Sequence, residues 1–134
     1  MTATVTYDAN LRTTCLHLQS GSNFETDAPS DNKGQGARFS PTDLIATGLG
    51  ACLITTMGIK AESMDLKIDG AKVDVTKVMM SEPRRIGKII IAVTMPALNL
   101  DEKMKEVLER VGRTCPVERS LHPDMELDIS FTWL

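Results

Sequence analysis

From Leu44 to Ile59 the chain carries no charged side chain, and this stretch restricts the fold more than any other. It belongs to a segment predicted as a helix from Pro41 to about Met64. Ser40 can cap that helix, Pro41 suits the first helical position, and Asp43 completes a Ser-x-x-Asp capping box. Leu44, Ile45, Leu49, Leu53, Ile54, Met57 and Ile59 leave almost no polar face. A helix of this kind has to be covered on nearly every side. One small sheet covers one side, so a second body must cover the other. Ala46, Thr47, Gly48, Gly50 and Ala51 are small enough for another backbone to come close, at about 1 kcal/mol of helix propensity per Gly. The expectation is a central helix buried in part by a second subunit. Its Thr and Gly interruptions, and the charged segment that ends it, count against a membrane span.

Short strands are expected on both sides of this helix. Ala3–Asp8 and Arg12–Gln19 are rich in Thr and β-branched residues, with a hairpin turn at Ala9–Leu11, and Asn23–Asp27 makes a third strand. Residues 28–37, full of Gly, Ser and Asn, read as a mobile loop ahead of the helix. Leu66–Ile68 and Ala71–Met80 read as strand material, Glu82–Gly87 as a turn, and Lys88–Met95 as a strand ended by Pro96. Asn99-Leu-Asp-Glu102 is a second capping box, opening an amphipathic helix striped by Leu100, Met104, Val107, Leu108 and Val111. A further helical piece restarts at Cys115-Pro116, and Glu126–Leu134 closes as an alternating strand. The order is that of an α+β protein with antiparallel sheet packed on helices.

With 134 residues the chain is expected to be one domain able to bury a core without staples. A net charge of −3 and five aromatic residues leave neither a basic patch for phosphates nor a stacking platform for bases, so nucleic acid and anionic membrane are not expected partners. Met1–Asn10 has no basic region and no apolar run, and so does not read as a signal peptide. Three cysteines and no export signal point away from a disulfide framework. A cysteine in a reducing compartment is then a small hydrophobe, a metal ligand or a reactive thiol.

Cys52 lies inside the apolar helix, where packing and chemistry are both open readings. Burial there raises a thiol pKa, so a nucleophilic role would need a nearby cation, with Arg12, Arg38, Arg110 and Arg113 as candidates. Cys115 falls at a helix cap, where unpaired N–H groups and the helix dipole are expected to lower its pKa. Cys15, in a strand between Thr14 and Leu16, reads as structural. Cys52, Cys115, His17 and His122 could in principle bind a metal, but no close pair such as Cys-x-x-Cys is present. Walker, dinucleotide-binding and serine-hydrolase motifs are also absent.

Three segments together resemble the OsmC/Ohr family (osmotically inducible protein C and organic hydroperoxide resistance proteins). They are Ser40-Pro-Thr-Asp-Leu-Ile-Ala-Thr-Gly-Leu-Gly-Ala-Cys52, Glu82-Pro-Arg-Arg-Ile-Gly-Lys-Ile-Ile-Ile91 and Cys115-Pro-Val-Glu-Arg-Ser-Leu121. The resemblance implies an OsmC-like fold, with antiparallel sheets on a long central helix, in an intertwined homodimer with active sites at the subunit interface. It implies Cys52 as peroxidatic and Cys115 as resolving cysteine, with an arginine over the Cys52 thiolate. Arg38, at the end of the glycine loop, is preferred for that place, and Arg12 is also eligible. The implied activity is reduction of organic hydroperoxides in the cytoplasm by a dithiol reductant, such as a lipoyl-type one, without metal or bound cofactor. One departure stands out. The family's peroxidases carry a Glu ten residues before the first cysteine to hold the arginine, and here that position is Thr42, with Asp43 one step and about 100° further round the helix. The same fold could therefore serve as a dimeric redox-sensing or ligand-binding module.

Overall fold

The computed structural model describes residues 1–134, which divide into two compact units, Met1–Ile45 and Ala46–Leu134. In the first unit β1 (Ala3–Ala9), β2 (Arg12–His17) and β3 (Asn23–Asp27) form an antiparallel meander. The expected hairpin turn is present, with Ala9, Asn10 and Leu11 all at positive φ. Every residue of β1 is exposed. Residues 28–37 contain a single 3₁₀ turn at Ser30–Asn32. Beyond them the chain is tied back to the sheet where the Asp27 N–H donates to the Phe39 carbonyl at 3.1 Å.

Helix α1 (Pro41–Ser63) starts in the first unit and runs through the second. Its capping box is made in both directions. Ser40 Oγ accepts from the Asp43 amide at 3.1 Å, and Asp43 Oδ2 accepts from the Ser40 amide at 2.9 Å. The helix is long and apolar enough, with a mean hydropathy of 1.5, to pass as a membrane span by composition alone. Leu49, Leu53 and Met57 are nevertheless wholly buried within the second unit, as in a core helix.

The second unit continues with β4 (Lys72–Met80), β5 (Arg85–Met95), α2 (Glu102–Gly112), α3 (Pro116–Ser120) and β6 (Glu126–Trp133). The central strand β5 supplies the floor of the core through Ile89, Ile91, Val93 and Met95, and α2 adds Leu108. Gly50 brings α1 close to this sheet, since a Cβ there would lie 2.8 Å from Val75 Cγ2. The α+β class stands, but this sheet is mixed. Strand β5 pairs antiparallel with β4 and parallel with β6. A parallel return requires a long crossover, which α2 and α3 provide.

Three local expectations need correction. Leu66–Ile68 is not a strand, because the Leu66 amide is already committed to the Ala61 carbonyl (2.9 Å) and the Asp65 amide to that of Glu62 (3.1 Å). With Asp65 at φ 55° this is a Schellman closure of α1. Helix α2 is capped by Asp101, whose Oδ1 accepts from the Met104 amide at 2.8 Å, and not by Asn99. Strand β5 begins three residues before Lys88, and a bulge at Gly87 lets both Ile86 and Ile89 turn inward.

Candidate active site

Cys115 and Cys52, far apart in sequence, meet in the second unit. Cys115 caps α3 in an extended conformation, with Pro116 at the first helical position, as the sequence suggested. Its side chain is fully buried in the apolar core, and Cys52 packs against that core while remaining partly exposed. The two thiols are neighbours at one edge of that core, and both are free. Cys115 Sγ also accepts from the amide N–H of Glu118 at 3.5 Å.

The expected lowering of the Cys115 pKa does not occur. Burial pushes this thiol up, the Glu118 amide pulls it back, and the neighbouring Cys52 adds to the rise. A five-residue helix offers little dipole to offset complete removal from water. The cap therefore positions the sulfur without making it a ready thiolate.

The two arginines nominated for the site both lie in the first unit, and Glu25 touches each. Arg12 is the more firmly held. Its Nε and Nη2 donate to Asp27 Oδ1 and Oδ2 at 2.7 and 2.9 Å, a bidentate pair, and its Nη1 is 3.5 Å from Glu25. Asp27 is 1% exposed and also accepts from the Ala37 amide at 3.0 Å. The Arg12 guanidinium, hydrogen-bonded to it, holds this carboxylate below its ordinary range despite the opposing effect of burial. Arg38 is about half exposed, donates to its neighbour's carbonyl, and sits 3.8 Å from Glu25. Sequence spacing points to the start of α1, around Thr42 and Asp43, for an acid that holds the arginine. The acid that holds Arg12 lies instead on β3, directly across the sheet, in the register Arg12↔Asp27. An acidic pair at alternate positions of a predicted strand, Glu25 and Asp27, was the available signal.

The remaining candidates are placed elsewhere. Arg113 donates to the Ile129 carbonyl at 2.8 Å and lies over the Phe131 ring. Cys15 is half-buried in β2, with Thr13 Oγ1 at 3.9 Å from its sulfur. His17 bonds Ser20, His122 accepts from the Asp124 amide, and no three His, Cys, Asp or Glu side chains form a metal-holding group. A groove of about 450 Å³ between α1 and residues 66–71 is lined by Ile54, Thr55, Gly58 and Glu62 among others and contains no cysteine or histidine.

A family model described as OsmC-like protein matches residues 34–130. This chain belongs to the OsmC-like family. A Psychrobacter arcticus protein, whose name proposes an osmotic-stress-induced detoxification response, shares 45% identity at a TM-score of 0.94, over 98% of this chain and 96% of its own. The organic hydroperoxide resistance protein OsmC of Legionella pneumophila matches at 16% identity and a TM-score of 0.72, over 97% and 94% of the two chains. OhrB of Bacillus subtilis, also an organic hydroperoxide resistance protein, matches at 18% and 0.68, over 98% of each. At those identities the last two show the shared fold. None of the curated proteins matches the sequence.

Proposed function

We propose that this chain is a thiol-dependent peroxidase that reduces organic hydroperoxides through Cys52 and Cys115. The observation that carries the proposal is that these two thiols, far apart in sequence, are brought together at one apolar core. The Cys52 thiolate attacks the terminal peroxide oxygen, the O–O bond breaks, and the alkoxide leaves as an alcohol after taking a proton. Cys52 becomes a sulfenic acid. Cys115 then attacks that sulfur, water is expelled, and a disulfide remains for a dithiol reductant to reopen. The apolar packing around Cys52 suits an alkyl hydroperoxide better than hydrogen peroxide. Arg38 or Arg12 would supply the cation. The clamp that Asp27 places on Arg12 supports Arg12, since a guanidinium held in a fixed orientation is better suited to stabilise a thiolate.

The working form is a cytoplasmic homodimer, each 134-residue chain acting as one domain. Support comes from the uncovered side of α1, where Ile45 and Ile59 are 47% and 66% exposed and a Cβ on Gly48 would meet nothing within 4 Å. Further support comes from the sheet of the first unit, whose Val5, Tyr7 and Phe24 are exposed. A small sheet needs a packed apolar face to be stable in water. One observation favours a second reading. With Thr42 in place of the family's Glu and the Cys115 thiol pushed up, resolution would be slow and the Cys52 sulfenic acid long-lived, as in a redox sensor. Multiple-turnover consumption of cumene hydroperoxide with dihydrolipoamide or dithiothreitol is expected of a peroxidase. A single stoichiometric loss of thiols without turnover would favour the sensor.

A further inference from the structure

The two sulfurs are not equivalent to a molecule arriving from solvent. Cys52 is partly exposed along α1, whereas Cys115 has no exposed surface at all. Cys115 Sγ is enclosed by the core and receives the Glu118 amide. Thiol–disulfide exchange needs an incoming thiolate to reach one sulfur along the axis of the S–S bond while the other departs.

We propose that the disulfide of this protein is opened in one direction only: the reductant attacks Cys52, and Cys115 is the leaving sulfur. The inference rests on Cys52 and Cys115 forming a reversible pair, as proposed above, but not on a hydroperoxide being the oxidant. In the first step the reductant thiolate forms an S–S bond to Cys52 as the Cys52–Cys115 bond breaks. The bonding electrons stay on Cys115, where the Glu118 N–H receives the departing charge until it takes up a proton. In the second step the other thiol of a dithiol reductant attacks its own sulfur in the mixed disulfide and releases the Cys52 thiolate. The dithiol is oxidised by two electrons and the protein disulfide reduced by two. Burial disfavours charge on Cys115 and so slows its departure, but it does not move the point of attack, because a sulfur without accessible surface cannot be reached.

The test uses the full chain carrying Cys15→Ser, oxidised with diamide and then exposed briefly to glutathione. The exchange is quenched in acid, and the free thiol is labelled with N-ethylmaleimide and mapped by mass. Glutathione on Cys52 with maleimide on Cys115, in about tenfold or greater excess over the reverse, is the expected result. Glutathione on Cys115, or an even split, overturns the proposal, as does failure of diamide to join the two cysteines. A second measurement needs no disulfide. In the same Cys15→Ser chain, Ellman's reagent should modify the native Cys115→Ser variant, with Cys52 free, about tenfold or more faster than the native Cys52→Ser variant, with Cys115 free. Equal rates would overturn the proposal. If both tests succeed while hydroperoxide is left untouched, the peroxidase reading fails and the direction of exchange stands.

Discussion

The two units of this chain bury opposite kinds of side chain. Every buried apolar residue lies at or beyond Ala46, from Leu49 and Leu53 on α1 to Ile91 on β5 and Leu108 on α2. In Met1–Ile45 the buried residues are Thr26, Asp27 and Ser40, all polar. The second unit is held by its own apolar core. The first has no such core, and its order rests on directed contacts: the Arg12–Asp27 pair, the Thr13–Thr26 hydroxyl contact and the Asp27 link to Ala37. A carboxylate, a guanidinium and a handful of hydrogen bonds give geometry more readily than stability. The comparison teaches that the first unit needs cover it does not supply, which is why its exposed apolar residues bear on the proposed dimer.

The sharpest way to break this comparison is Gly48→Glu. Within one chain the new side chain would meet open space, so a self-sufficient subunit should tolerate it. If α1 lies in a dimer seam, a carboxylate is forced into an apolar contact without a partner, and soluble folded protein should be lost. Sedimentation of the wild type should then give twice the 14.7 kDa chain mass. A stable monomeric Gly48→Glu would separate the openness of the first unit from any need for a second copy.

Leu53→Ala removes a fully buried side chain from the second unit's core and should cost about 2–5 kcal/mol in urea denaturation. Asp27→Asn should do less to global stability but more to local order. The amide protons of Asp27, Ala28 and Ala37 should exchange faster, while those of β5 are unchanged. The same variant should alter the acid response. The Asp27 pKa is depressed in the fold, so its contribution is present above the ordinary carboxylate range and is lost as pH falls through the depressed value. Asp27→Asn should remove that part of the acid sensitivity, visible in melting temperatures between about pH 5 and 2. Equal exchange in both units would mean that the clamp orders nothing.

The smallest expected effect is kinetic. Burial holds the proton on Cys115, and the thiolate is the attacking form, so disulfide formation after oxidation of Cys52 should quicken as pH rises past about 8.5. Stopped-flow with one equivalent of cumene hydroperoxide reads this directly. A rate independent of pH up to 10 would show that Cys115 is already ionised at neutral pH.

Much of the fold was legible in local chemistry. Ser40, Pro41 and Asp43 announced the start of α1, Asn23–Asp27 reads as a strand from its composition, and Cys115-Pro116 marks a helix cap. What was not legible depends on partners distant in sequence. Nothing within Glu126–Trp133 distinguishes a parallel from an antiparallel neighbour, because the alternation of Leu127, Ile129, Phe131 and Trp133 is the same in both. Leu66–Ile68 has the composition of a strand, but its first amide is taken by the end of α1. The helix cap visible in the sequence argues for a lowered Cys115 pKa, but the core that surrounds the thiol decides the sign. Arg12 and Asp27 are paired by strand register, which no search along a single helix could find.

Single turnover with the cysteine variants tests the central claim most directly. Reduced protein is mixed with one equivalent of cumene hydroperoxide, quenched, and mapped by mass. The wild type and Cys15→Ser should consume the peroxide and form a Cys52–Cys115 disulfide, whereas Cys115→Ser should consume it and stop with one added oxygen on Cys52. Cys52→Ser should leave the peroxide intact. Oxidation confined to Cys15, or full consumption by Cys52→Ser, would contradict the assignment of the paired thiols as the reacting site.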